Sequence, residues 1–349
     1  MVDRPPQGTA DDILTHYRTL VQEDIERLLD ARPDRALYRI VRYHLGLADA
    51  EGRRGRAGGG KAVRGTLCVL CCEAAGGRLE VALPAASAVE LLHAFTLLHD
   101  DIADRDELRR GRPAAWRLWG AGRAMTAGDA VFALANLALA RLGELGVPAE
   151  RTAAALNELN RAALAVCEGQ DLDLSYEGRD DVTVADYLDM VSLKTASLFA
   201  AAARTGALAA GAPPATVQAL DDYGRRLGTA YQIRDDLLGI WGEAAELGKP
   251  VGSDLRRNKR SLPVVLALTQ ASPEASRRVA ERLRAADLSD EDTASLAAEL
   301  EAIGARARCE QLAQEAAHQA LSRLEETALS PGPAANLRAL AVDLLKRRS

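Results

Sequence analysis

The sequence predicts an all-α protein, and three observations carry that expectation. Aromatic residues make up only 4% of the 349 residues while 48% are hydrophobic, so the core has to be built from Leu, Ala and Val. Leu and Ala lead the helix scale, whereas β-branched and aromatic residues favour strands. Apolar residues recur at spacings of three and four along most of the chain, which is the period of a buried helical stripe, and no alternating run of useful strand length separates these stretches.

Taken in order, residues 10–30 set the pattern: Ile13, Leu14, Tyr17, Leu20, Val21, Ile25, Leu28 and Leu29 fall on one helical face. The same period returns at about 34–48, 62–75, 84–104, 124–144, 150–176, 184–208, 215–240, 260–270, 275–286, 290–303, 306–327 and 333–347. Gly and Pro punctuate the gaps, as at Gly58 to Gly60, Gly211 to Pro214 and Pro331 to Pro333, yet no long linker rich in Pro, Gly or Ser divides the chain. Length alone would allow about two domains, but the unbroken helical pattern favours one, over 1–349. There is no repeat of solenoid period, although two Asp-Asp pairs stand in similar apolar contexts.

A balance of 44 Lys and Arg against 50 Asp and Glu leaves a net charge of -6, so nothing global draws the chain to nucleic acid or to an anionic membrane. Any polyanion has to be met by a local basic site. No stretch approaches roughly 18 unbroken apolar residues, and the start MVDRPPQGTADD lacks the apolar run of a signal peptide. The expectation is a cytoplasmic protein with no stable membrane insertion and no nucleic-acid partner. Five cysteines, Cys68, Cys71, Cys72, Cys167 and Cys309, lie in apolar helical patterns. Their odd number fits no disulfide framework and no second Cys or His cluster stands at zinc spacing, so they read as reduced core thiols.

Chemistry concentrates in a few segments. LLHAFTLLHDDIAD is an apolar helix that ends in Asp100, Asp101 and Asp104, and because residues three and four apart share a helix face these carboxylates gather as hard oxygen ligands. A second pair, Asp235 and Asp236 in AYQIRDDLLGIWG, also follows an apolar stretch. Mg²⁺ keeps part of its water shell and is held by a few carboxylates together with phosphate oxygens, so two such clusters point to a bound diphosphate. Cations are at hand: Lys61 and Arg64 in GGGKAVRG, Arg109 and Arg110 in ELRRGRP, Lys194 in SLKTASL, and Lys249 and Lys259 in GKPVGSDLRRNK. Singly, each would pass for a surface cation. No Ser/His/Asp or Cys/His arrangement suggests a side-chain nucleophile.

The ordered series GGKAVR, ELLHAFTLLHDDIAD, LRRGRP, GQDLD, LKTA, YQIRDDLLG and GKPVGSDLRRNKRSLP, over about 58–265, resembles the trans-isoprenyl diphosphate synthases, or polyprenyl synthetases, and among them the geranylgeranyl diphosphate synthases. The resemblance implies the isoprenoid synthase fold, a single large helical bundle around a deep central cavity, acting as a homodimer. The implied reaction is head-to-tail condensation of isopentenyl diphosphate with an allylic diphosphate through an allylic carbocation. Asp100, Asp101 and Asp104 match the first aspartate-rich motif and Asp235 and Asp236 the second, together holding three Mg²⁺ ions on the allylic diphosphate. Arg109, Lys194 and Lys259 match the cations that grip that group, with Lys249 as a further clamp. Gln232 matches a polar position of the second motif, and Thr195 and Gln170 match oxygens that face the allyl cation. Lys61, Arg64, His93 and Arg110 match the metal-free pocket for isopentenyl diphosphate.

Phe95, with the small Thr96 beside it, stands where a ring would form the floor for the growing product. The order FTLLHDD resembles members that stop at the twenty-carbon geranylgeranyl diphosphate, with the fifteen-carbon farnesyl product as the nearer alternative. Two positions depart from the family pattern. Gly239 replaces the last acid of the second motif, and Gly65 stands where Pro is frequent, which is expected to affect only the local turn. The loop from Gly242 to Arg260 is expected to act as a lid over bound diphosphate. A class I terpene cyclase of the same fold would need acidic clusters but no second diphosphate pocket, and a non-catalytic modulating subunit would be free to lose the first motif.

Overall fold

Thr9 and Asp12 show how local sequence becomes structure: they close a reciprocal capping box at the start of α1 (Ala10–Asp30), whose buried face holds Ile13, Leu14, Tyr17, Val21, Ile25, Leu28 and Leu29. The computed structural model describes residues 8–55, 60–242, 252–284 and 288–346 and is 78% helical, as the all-α expectation requires. After α1 come α2 (Ala36–His44), α3 (Val63–Ala74), α4 (Leu79–Ala103), a hairpin of β1 (Leu108–Arg109) and β2 (Arg112–Pro113), α5 (Ala115–Trp119), α6 (Ala121–Ala140), α7 (Ala149–Tyr176) and α8 (Val184–Val191). A π-helical turn over Ser192–Ala196 leads into α9 (Ser197–Ala210) and α10 (Pro214–Trp241). Then follow α11 (Ser253–Arg256), α12 (Leu262–Gln270), α13 (Pro273–Leu283), α14 (Asp290–Ala302), α15 (Ala305–Glu325) and α16 (Pro331–Lys346).

Three differences from the sequence expectation have physical reasons. Proline favours a first helical turn, which places the start of α4 at Pro84, yet α4 begins at Leu79 with Pro84 inside it. Burial of Val81, Ala82, Ala85 and Ala86 outweighs the missing N–H donor. The hairpin, α5 and α11 are too short to carry a period. The helix expected over 184–208 is interrupted by the π turn, which admits one more residue per hydrogen-bonded ring without altering the apolar spacing enough to be seen.

Internal packing divides the chain into two compact units, 1–163 with 198–224 and 323–340, and 164–197 with 225–322 and 341–349. In the first, α4 packs on α3 and α6 around fully buried Leu67, Leu70, Leu91, Leu92, Leu98 and Phe199. A Cβ at Gly206 would collide with the Cys68 carbonyl, so α9 and α3 approach backbone to backbone. Asp24 ties three elements together: it accepts two 2.9 Å bonds from Arg141 at the end of α6 and one of 2.7 Å from Ser87 on α4. Cys68, Cys71, Cys72 and Cys309 are buried free thiols as expected, whereas Cys167 is exposed, on the solvent side of α7. By length and composition α4 and the segment Ala121–Leu145 could each cross a membrane, although the apolar window of α4 is 72% buried and that of the second segment 44%.

In the second unit α12 separates two apolar clusters. Val265 and Leu262 join Tyr187, Val191, Ile233 and Leu237 on one side, and Val264 joins Ile240, Leu255, Val279, Leu296 and Leu300 on the other. Just before α12, the buried Arg260 donates to Asn258 O at 2.9 Å, to Asn258 Oδ1 at 2.6 Å and to Asp180 Oδ1 at 3.2 Å, stapling that segment down.

Candidate active site

The end of α4 and the hairpin form one acidic site. Asp104 caps the helix, its N–H bonded to Asp100 O at 2.7 Å, so Asp100 and Asp104 stay one turn apart on a common face. Asp101 is only 1% exposed. Its Oδ1 accepts from Arg109 Nε at 2.7 Å and from Arg109 Nη2, and Arg109 also reaches the buried Asp106 at 3.5 Å. The hairpin delivers this guanidinium: Arg110 (φ 55°) and Gly111 (φ 73°) both adopt the left-handed backbone that a tight primed turn requires. Arg110 itself lies against Gly60, where a Cβ would be 2.5 Å from its Nη2.

The cation pocket starts at α3. Lys61 is exposed, and Ala62, which precedes the helix, has φ 49° and ψ 42°, a conformation costing a non-glycine residue about 1 kcal/mol. Arg64 lies 4.6 Å over the Phe199 ring and its Nη1 sits 3.2 Å from His93 Nε2. Guanidinium only donates, so His93 Nε2 accepts and the ring is neutral. Burial, then Arg64, Arg110 and Arg109, hold its pKa well below the usual histidine value. His44 is pushed down to about 3 by burial and by Arg110 and Arg109.

Gly65 matters beyond its turn, contrary to expectation. Its N–H donates to Glu90 Oε1 at 2.7 Å, a bond that proline could not make. Burial nevertheless raises the Glu90 pKa, against Gly65, Arg64 and Arg110. A small pocket opens here between Ile25, His44, Leu47, Glu90, His93 and Arg110. Further back along α4, Thr96 bonds His93 O at 2.9 Å, and Phe95 meets His99 edge-on with ring centroids 4.8 Å apart.

In the second unit the π turn carries Lys194 and Thr195. A Cβ at Gly169 would collide with the Lys194 backbone, so α7 and the π turn touch directly, and Lys194 donates to Asp173 Oδ2 on α7. Lys259 approaches the same oxygen at 3.8 Å. Burial opposes the charge on Asp173, but the two lysines outweigh it and keep the pKa below the usual carboxylate value. Gln170, one turn before Asp173, has its amide N and O buried and without a hydrogen-bond partner among the described residues. Thr195 donates to Gln232 Oε1 at 2.6 Å, and Gln232 donates to Asp236 Oδ1 at 2.9 Å.

Asp235 is exposed on α10, but Asp236 is 6% exposed. Asp236, expected from the sequence to contact substrate, has both oxygens engaged inside its own unit: Oδ2 accepts from the Tyr187 hydroxyl at 2.7 Å and from the Leu262 N–H at 2.8 Å. Burial pushes its pKa up to about 7 despite these bonds, and Asp254 adds to the rise. Lys249 and residues 243–251 of the expected lid lie outside the described residues.

The donors suit magnesium. They are carboxylate oxygens, the hard ligands of which such an ion takes one or two before it completes its shell with water and phosphate. The amide of Gln170 is a further polar group that no partner among the described residues satisfies.

A polyprenyl synthetase family model matches residues 54–300. The chain belongs to the polyprenyl synthetase family. It is 38% identical to (2E,6E)-farnesyl diphosphate synthase of Mycobacterium tuberculosis (strain ATCC 25618 / H37Rv) over 99% of this chain and 97% of that one. It is 40% identical to geranylgeranyl diphosphate synthase of the same strain over 83% and 81%. The crystal structure of polyprenyl synthetase from Streptomyces coelicolor A3(2) matches with a TM-score of 0.88 and 39% identity, covering 95% of this chain and 98% of that one. As a polyprenyl synthetase the chain is a trans-prenyltransferase acting on isopentenyl diphosphate and an allylic diphosphate.

Sequence reasoning missed three groups in this polyprenyl synthetase. Asp173 stands in GQDLD three residues after Gln170, a helical spacing that could have revealed it. Glu90 precedes His93 by the same interval. Asp254 leans on the second motif where it lacks its last acid: a Cβ at Gly239 would lie 2.8 Å from Asp254 Oδ2. No helical spacing links those two positions.

Proposed function

We infer that this prenyltransferase uses magnesium and makes geranylgeranyl diphosphate, and that it works as a cytoplasmic homodimer. The observation that carries the reading is the separation of two cationic sets within the first unit. Arg109 is committed to Asp101 and Asp106, while Arg64 pairs with neutral His93 beside Arg110. One set accompanies acidic metal ligands and the other does not, which supports two diphosphates bound in two manners. Phe95 supports a floor for the product chain, and the exposed apolar Met125 and Leu137 on α6 support a second copy as partner.

Asp100, Asp101, Asp104 and Asp235 are the residues that would hold magnesium, which supplies positive charge to the leaving diphosphate oxygens. Arg109, Lys194 and Lys259 neutralise that group as the allylic carbon–oxygen bond breaks. Thr195 spends its proton on Gln232, which leaves hydroxyl lone pairs for the developing allyl cation, and the unsatisfied carbonyl of Gln170 adds a second dipole. Lys61, Arg64, His93 and Arg110 hold isopentenyl diphosphate so that its terminal alkene attacks the cation and a carbon–carbon bond forms. The proton then lost passes to the departed diphosphate, so no side-chain base is needed.

Purified protein incubated with Mg²⁺, isopentenyl diphosphate and each allylic primer, followed by dephosphorylation and chromatography, tests this. A twenty-carbon alcohol is expected. A fifteen-carbon end product would reassign the chain to farnesyl diphosphate synthesis, and a hydrocarbon formed without isopentenyl diphosphate would make it a cyclase.

A further inference from the structure

The first turn of α3 starts without a cap of its own. A helix leaves its first N–H groups unsatisfied, and the residue before it commonly supplies a side-chain oxygen. Here that residue is Ala62, in left-handed backbone at φ 49° and with no oxygen to offer. The acceptor comes instead from α4: Glu90 Oε1 takes the Gly65 N–H at 2.7 Å, and the Arg64 N–H acts on the same carboxylate.

We propose that Glu90 is a positioning residue for isopentenyl diphosphate, a cap supplied by a second helix that fixes where α3 presents Arg64. The proposal rests on the assignment of Arg64 and His93 to that substrate and extends it to the group that holds them in register.

Glu90 and His93 lie three residues apart, on one face of α4. Glu90 grips the backbone at the start of α3, while His93 Nε2 lies 3.2 Å from Nη1 of the Arg64 side chain. The Phe199 ring bounds the same guanidinium at 4.6 Å. Arg64 is therefore held at its backbone and at its tip, and a slide of α3 along α4 would part it from His93. Gly65 permits this approach, because a Cβ there would lie 2.8 Å from Glu90 Cγ and 3.5 Å from the Ala86 carbonyl.

The charge on Glu90 acts against its cap. A carboxylate beside Arg64 and Arg110 lowers the positive potential that draws a diphosphate, whereas its bond to the α3 backbone favours binding by holding Arg64 in place. Substitution separates the two contributions. Glutamine keeps the acceptor and removes the charge, and alanine removes both.

Steady-state constants for the parent, E90Q, E90A, G65P and G65P/E90A, measured for both substrates, test the proposal. E90A is expected to raise KM for isopentenyl diphosphate about tenfold, with kcat and KM for the allylic primer within about twofold of the parent. E90Q should show the parental KM for isopentenyl diphosphate or a lower one. G65P deletes the donor of the same bond, so it should raise that KM as E90A does, and the double variant should be no worse than G65P. E90Q as impaired as E90A would assign the effect to charge and overturn the proposal. A folded E90A with the parental KM, or additive losses in the double variant, would overturn it as well. Thermal unfolding confirms that each protein is folded, and G65P against the parent decides the matter if E90A does not fold. R64A in the same assay separates the two levels of the argument: an unchanged KM for isopentenyl diphosphate there would overturn the pocket assignment itself.

Discussion

Asp101 and Asp236 are each the buried member of an Asp-Asp pair on an apolar helix, and their surroundings treat them in opposite ways. Asp101 is compensated by a cation, with Arg109 bonded to one of its oxygens. Asp236 is compensated by neutral donors, a hydroxyl, an amide side chain and a backbone N–H, and burial lifts its pKa to about 7. A charge that is met by a charge can be handed to a ligand that brings its own counter-ion. A carboxyl that is sealed by dipoles serves the fold.

The sharpest way to break this contrast is a matched pair of isosteric changes. Asp101→Asn is expected to lower turnover by about a hundredfold or more at saturating Mg²⁺, because the diphosphate leaves with less neutralisation. Asp236→Asn should stay within about tenfold, since the asparagine oxygen still accepts from the Tyr187 hydroxyl and the Leu262 N–H and only the bond with Gln232 is altered. Steady-state kinetics on both variants checks this, and equal losses would erase the distinction.

Stability should run the other way. Asp236→Ala leaves the Tyr187 hydroxyl and the Leu262 N–H without their acceptor in a dry interior, and buried donors stranded in this manner cost about 1–3 kcal/mol each. Urea unfolding should show about 3 kcal/mol lost, and a loss under 1 kcal/mol would mean that α8, α10 and α12 are held by apolar packing alone.

A smaller effect sharpens the division of cations. Arg64→Ala should raise KM for isopentenyl diphosphate about tenfold, roughly 1.4 kcal/mol of binding, and leave that for the allylic primer nearly unchanged. Equal changes in both constants would merge the two cation sets into one.

The smallest expected signal is a pH slope. The folded pKa of Asp236 lies near 7 against an ordinary aspartate value of 3.8, so the protonated carboxyl favours the native state. That contribution is complete below about pH 4 and is lost as pH rises through 7. Asp173 has the opposite sign: its lowered pKa gives stability above the ordinary aspartate value that is lost as pH falls through the folded value. Thermal midpoints from pH 5 to 8 should fall less for Asp236→Asn than for the parent.

The helices were legible because their apolar stripes are long, and the two Asp pairs because carboxylates beside such stripes are costly without a purpose. What could not be read was which member of each pair turns inward. Neighbours on a helix differ by about 100° in direction, and α10 resolves that angle only once Tyr187 and Leu262 are in place. Lys194 and Thr195 were legible as residues but not as a π turn, since one extra residue per turn leaves hydropathy unchanged. Gly169 was visible in GQDLD, but the backbone contact it permits belongs to tertiary structure. The hydrogen bond from Gly65 to Glu90 joins two helices, so it too lay beyond any local pattern.

The hairpin of β1 and β2 has one more implication. Arg109 and Arg110 are consecutive, yet one guanidinium goes to Asp101 and the other to Gly60. That divergence comes from the tight turn at Arg110 and Gly111, so it depends on how many residues the turn holds. A single insertion between Arg109 and Arg112 would reassign the two guanidiniums while leaving every charge in the segment intact. Relatives are therefore expected to vary in composition here far more freely than in length, and a one-residue insertion should be the least tolerated change of its size in the first unit.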